Sequence, residues 1–108
     1  MSGMMQGPIQ IGPNTFEFNG IVYMDSTIKR SEQNYTVFAS ANTWQRMLTG
    51  AGWTVPNPIG APGMLSQSNA FGQEFRYRSN AGSFPGWTGE QFNDGDRVAK
   101  YRFLGGGI

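Results

Sequence analysis

The sequence predicts a mainly β fold, on the border of α+β: a small antiparallel β sandwich or barrel-like sheet with one short helix and extended Gly/Pro-rich arms. Three observations predict it. The large apolar residues are aromatic and β-branched, with aromatics at 14% and leucine present only as Leu48, Leu65 and Leu104, a balance that suits half-buried pleated surfaces. Short alternating runs are broken by 16 glycines and 6 prolines, the spacing of strands joined by turns. Only one stretch, Thr36–Val55, carries helical periodicity.

That stretch predicts strand, helix, strand, and the rest of the chain is expected to be arranged around it. Asn42 is placed to cap a helix over about residues 42–50, with Gln45 at its third position. Trp44, Met47 and Leu48 share one face, and Gly50 and Gly52 end the helix, because a left-handed C-cap strains glycine least. Trp44 and Trp53 are expected in the core.

At 108 residues the chain is one domain, 1–108, able to bury roughly 65% of its unfolded surface. Residues 1–13 are expected to form an N-terminal arm. Within it, Ile9 and Ile11 alternate with Gln10 between Pro8 and Pro13, an edge strand or extended arm, since proline cannot enter a central ladder. TFEFNGIVYMD predicts a hairpin with a type I′ turn at Asn19-Gly20. The turn fixes the register, placing Phe18 opposite Ile21 and Phe16 opposite Tyr23 on one core-facing side. Asp25–Asn34 is a polar loop, and Asn34-Tyr35-Thr36 is a glycosylation triplet too short to weigh without a secretion signal.

Residues 56–70, PNPIGAPGMLSQSNA, are expected to be an extended loop or arm that docks on a neighbour, with Ile59, Met64 and Leu65 as its contacts. FGQEFRYRS predicts a strand with Phe71, Phe75 and Tyr77 on one face and Glu74, Arg76 and Arg78 on the other. Arg97–Leu104 repeats the pattern, with Ala99, Tyr101 and Phe103 opposed to Lys100 and Arg102. Were these two strands neighbours, Arg76, Arg78, Lys100 and Arg102 would share one basic face. Between them, Phe84, Trp87 and Phe92 are expected on a glycine-rich aromatic loop, the residue types of interface anchors and sugar platforms. NDGD at Asn93–Asp96 lacks the later glutamate of an EF-hand and predicts a turn with left-handed glycine. Residues 105–108 form a C-terminal tail.

Several functional classes are disfavoured. With no cysteine and no histidine the usual thiolate nucleophile, general base and zinc ligands are missing. Nothing in the spacing pairs two carboxylates, and no phosphate-cradling or nucleophile-elbow motif occurs. Neither an enzyme nor a cofactor is expected. A net charge of +1 argues against nucleic acid. No apolar run approaches the roughly 20 residues of a membrane span. MSGMMQGP lacks the charged and apolar regions of a secretory signal, so the expected setting is cytoplasmic, or a virion if the source is viral.

The expectation that remains is a structural subunit acting by contact. Its composition, β-rich with low charge and Gly/Pro arms, is that of small virion proteins such as capsid decoration, cement, neck or tail components, an analogy of composition alone. Its partners would be other protein subunits, whether copies of itself or a major structural protein. The expected contacts are Met4, Ile9, Ile11, Ile59, Met64, Leu65, Phe84, Trp87, Phe92 and Ile108, with main-chain pairing at a strand edge adding direction. The alternative is a glycan- or peptide-binding module using the aromatic loop Phe84 to Phe92.

Overall fold

The structure is a computed structural model that describes residues 9–25, 33–60, 63–79 and 86–108. The expectations placed on Met4, Phe84, the first seven residues and most of the polar loop before Asn34 lie outside those residues. Ten elements follow in order: β1 (Ile9–Gly12), β2 (Thr15–Phe18), β3 (Ile21–Asp25), β4 (Gln33–Val37), α1 (Ala41–Gly50), β5 (Asn57–Pro58), β6 (Leu65–Ser68), β7 (Gln73–Ser79), β8 (Trp87–Asn93) and β9 (Asp96–Phe103). The fold is mainly β, as expected, with a single short helix among the described residues.

The strands form one sheet in the order β1-β2-β3-β4-β9-β8-β7-β6-β5. Two antiparallel meanders, β1–β4 and β5–β9, meet where β4 runs parallel to β9, from Gln33 beside Ala99 to Val37 beside Phe103. The sheet is therefore mixed rather than wholly antiparallel. The helix carries the chain away after β4, and the second meander folds back strand by strand until β9 arrives beside β4 running the same way.

Local chemistry explains the elements. Asn19 and Gly20 have φ of 50° and 86°, as a type I′ turn requires, and Phe16 sits opposite Tyr23 and Phe18 opposite Ile21. Asp94 and Gly95, with φ of 51° and 89°, make the same turn between β8 and β9. The helix is capped two residues earlier than Asn42 would cap it, and its first residue is Ala41. Ser40 is the cap, its Oγ accepting from the Thr43 N–H at 3.0 Å, and Asn42 falls inside the first turn, where its N–H donates to the Gly107 carbonyl at 3.0 Å. The Gly106 carbonyl accepts from Ala41 at 2.8 Å. Two helix-start donors that no intrahelical partner can satisfy are thus met by the C-terminal tail. At the other end Trp53 N–H donates to the Leu48 carbonyl and Gly52 N–H to that of Thr49, a Schellman closure around Gly52 at φ 102°.

The helix lies on one face of the sheet, over the seam between the meanders. Trp44 packs on Tyr23 of β3, Tyr101 and Phe103 of β9 and Phe75 of β7, with ring centroids 5.3–6.0 Å apart. Val37, Phe75, Tyr77 and Phe103 complete this inner face and are all but sealed from solvent.

Two expected loops are strands. Leu65–Ser68, inside the supposed arm 56–70, pairs with β7. Its Gln67 is fully buried, donating to the carbonyls of Gln45 at 3.0 Å and Thr54 at 2.9 Å while Tyr77 OH donates to its Oε1. Those partners release a polar side chain from the loop its chemistry suggests. Trp87–Asn93, expected in the aromatic loop, is β8 and lies between β7 and β9. Gly89 is what admits it: a Cβ there would stand 2.3 Å from Phe75 Cε1. After the helix, Thr54 and Val55 run extended without joining the ladder beyond a contact with Ser68, and only Asn57 and Pro58 pair. Phe71, expected on the inner face of its strand, lies in the turn before β7 and is 85% exposed.

Candidate interaction surface

The face of the sheet away from the helix carries no covering element among the described residues. Alternation along β7, β8 and β9 turns Glu74, Arg76, Arg78, Thr88, Glu90, Phe92, Lys100 and Arg102 to this outer side. The expected basic residues do share it, but β7 and β9 are not neighbours. The register runs Arg76–Glu90–Lys100 and, one step along, Arg78–Thr88–Arg102, so β8 places a carboxylate between the cations. A register shift between Gln91 and Phe92 brings in a fifth cation: Arg97 Nη1 donates to Glu90 Oε2 at 2.6 Å, while Arg78 Nη2 stands 3.9 Å from Oε1. Such bulges re-aim side chains in this way. Nearby, Arg76 Nη2 donates to Glu74 Oε1 at 3.1 Å, and the Arg76 guanidinium carbon lies 4.4 Å from the Phe92 ring centroid. The Arg76 hydrogen bond holds the Glu74 carboxyl below its usual range, against the opposing effect of burial, and Ser66 adds a second bond. The patch is thus basic in sum, five cations to two carboxylates, but cross-linked by them.

A second feature occupies the other half of the outer face. Ile9 stands opposite Glu17 and Glu17 opposite Val22. Phe38 and Leu104 each follow an inward residue, Val37 and Phe103, and so turn outward, with Phe38 N–H bonded to the Val22 carbonyl. Ile9, Phe38 and Leu104 are about half exposed, at 57%, 49% and 55%, and Met24 beside them is also exposed. The result is a row of exposed apolar residues that crosses the first meander, is interrupted by Glu17 on β2, and ends with Ile9 on β1. Sequence reading missed Met24, Phe38 and Leu104. The signal available was parity, since a residue after an inward strand end points out.

The expected contact residues do not form one surface. Ile9 and Ile11 lie together on the edge strand β1. Leu65 and Trp87 face inward and pack on the core, and a Cβ at Gly107 would meet Trp87 Nε1 at 2.3 Å, so the tail lies flat against that indole. Trp87 and Phe92 are on opposite faces of β8 and make no common platform. Ile59 and Met64 are half-buried and joined by an Ile59 N–H to Met64 carbonyl bond at 3.1 Å in the β5–β6 turn. Ile108 ends the chain, almost fully exposed. Residues 104–107 are held by their own domain through Val37, Ala39, Ala41 and Asn42.

The two edges of the sheet differ. β5 is two residues long and contains Pro58, with Pro56 just before it; proline cannot donate to a ladder, so this edge is blunted. β1, Ile-Gln-Ile-Gly, is twice as long and has no proline or charge within it, Pro8 and Pro13 standing only at its ends, and Ile11 is 52% exposed. Among the described residues no group of three His, Cys, Asp or Glu side chains gathers to hold a metal, and no helix is long and apolar enough to cross a membrane. Comparison with family models, with curated proteins and with solved structures finds no match to this chain.

Proposed function

We propose that the chain is a non-enzymatic structural subunit that works by contact, pairing edge strand β1 with a strand of a neighbouring subunit. The observation that carries this reading is the inequality of the two sheet edges. One is two residues long and contains proline; the other is four residues long, has no further strand on its outer side among the described residues, and carries half-exposed isoleucines. Soluble proteins ordinarily blunt such an edge with charge or proline, because it is a template for another chain. The apolar row from Ile9 to Leu104 starts at the same edge and gives a neighbour that extends the sheet something to cover. The virion setting rests on composition alone and is proposed on that ground only.

The test uses the full-length chain and its Ile9→Lys/Ile11→Lys double variant, which puts two cations on the edge without touching the core. Light scattering at two concentrations should give a mass above 11.9 kDa for the parent, alone or with its partner added, and not for the variant. Amide exchange supplies the opposing result. A chain that stays at 11.9 kDa, with its β1 amides exchanging as slowly as those of β8, has no open edge to offer, and the reading fails.

A further inference from the structure

Resting on β1 as the contact edge, we infer that its partner is a second copy of this chain, paired antiparallel about a twofold axis through Gln10. β1 is self-complementary in that arrangement. Gln10 faces the partner's Gln10, and Ile9 faces the partner's Ile11, so apolar side chains meet apolar ones on the outer side and amides meet on the inner. A twofold contact requires such a match, because the same patch must serve both copies. The strand carries no charge of its own to repel its image. The nearest described acid, Glu17, is one strand in, so the two Glu17 side chains stand about three strand spacings apart, roughly 14 Å, beyond the ~8 Å screening length of physiological salt.

The same geometry disfavours head-to-tail growth. That would join β1 of one copy to β5 of the next, and β5 has two residues, one of them Pro58, with too few donors to form a ladder. The closed pair remains. It joins the apolar rows of both copies into one surface, bringing Ile9, Ile11, Met24, Phe38 and Leu104 of each copy onto one side, five of the eight large hydrophobic residues left exposed among the described residues. The register shift between Gln10 and Gly12 twists the end of the strand away and confines regular main-chain pairing to the stretch of chain around Gln10. So short a contact is far from the roughly 800 Å² per partner of a stable interface, and the dimer is reversible and concentration-dependent.

The chain has no cysteine, so Gln10→Cys introduces its only thiol. Directly opposed residues of an antiparallel pair have Cα atoms about 4.5–5.5 Å apart, within disulfide reach. Ile9→Cys would meet its own image only on the diagonal, about 7–8 Å away and out of reach. Phe71→Cys, exposed in the turn before β7, reports random collision. Under mild oxidation of the full chain, Gln10→Cys should cross-link at least roughly tenfold faster than either control, since a formed pair presents its thiols at a high effective concentration. Faster linkage of Ile9→Cys would overturn the axis at Gln10. Gln10→Cys linking no faster than Phe71→Cys, with the parent at 11.9 kDa at every concentration, would overturn the second copy as partner. In that event rapid exchange of the β1 amides leaves the contact-edge reading standing, whereas slow exchange removes both.

Discussion

The two faces of this sheet are held together by different physics. On the inner face Tyr23, Trp44, Phe75, Tyr77, Tyr101 and Phe103 are close-packed rings with centroids between 4.8 and 6.5 Å apart, and position depends on shape. On the outer face of β7, β8 and β9 the side chains are long, ionic and mutually restrained through Glu74 and Glu90, and position depends on charge balance in a wet setting. Stability should therefore reside in the inner face, and association in the outer face and its edge.

The largest expected effect tests the first half of that statement. Trp44 is 3% exposed and touches both meanders, so Trp44→Ala should cost about 3–5 kcal/mol in urea unfolding, through lost burial and the cavity left at the seam. A loss near 1 kcal/mol would mean that the meanders hold together without the helix.

The next effect is a pH dependence of the same face. Burial, with Tyr35 nearby, pushes Tyr23 up to about 12, and burial pushes Tyr77 and Tyr101 up as well. An unfolded tyrosine ionises near 10. The folded chain thus keeps a proton that the unfolded chain gives up, so this contribution is whole below pH 10 and is lost as pH rises from about 10 to about 12. A shift of that size corresponds to about 2–3 kcal/mol for Tyr23. Urea midpoints at pH 9 and pH 11.5, with tyrosinate absorbance followed alongside, measure it. Tyrosines titrating together near 10 without loss of stability would show the inner face open to water.

How much was legible follows the same division. The Asn19-Gly20 hairpin and the alternation of Phe75 with Tyr77 and Tyr101 with Phe103 were readable because local turn chemistry and period-2 burial agree there. The helix was readable to within a residue. Its cap was not, because Ser40 and Asn42 are both capping residue types, and the Gly106 and Gly107 carbonyls that meet the Ala41 and Asn42 donors lie more than 60 residues away. β6 was hidden because Gln67 is buried by hydrogen bonds to residues 10, 13 and 22 positions distant. β8 was hidden because Gly89, a loop signal by propensity, serves as space for the Phe75 ring. The four expected basic residues were found, but the outer face was misjudged in character, since Glu90 enters it only through the strand that could not be seen.

Glu90 gives the smallest effect and the sharpest contrast. Its side chain is 14% exposed and faces Arg97 at 2.6 Å and Arg78 at 3.9 Å, with Arg76 and Lys100 opposite it in register. Glu90→Gln keeps the shape and removes the charge, raising the patch on β7, β8 and β9 from a balance of +3, five cations less two carboxylates, to +4. The guanidinium groups stay more than a third exposed and can turn to water, so the cost should be only about 1 kcal/mol. Because what is lost is charge balance, added salt should recover part of it by screening the cations from one another, whereas salt should not rescue Trp44→Ala in the same way. Urea midpoints of both variants at low and high ionic strength draw the contrast. A salt-insensitive loss of 3 kcal/mol or more from Glu90→Gln would place Glu90 among the buried, shape-determining groups and break the division between the two faces.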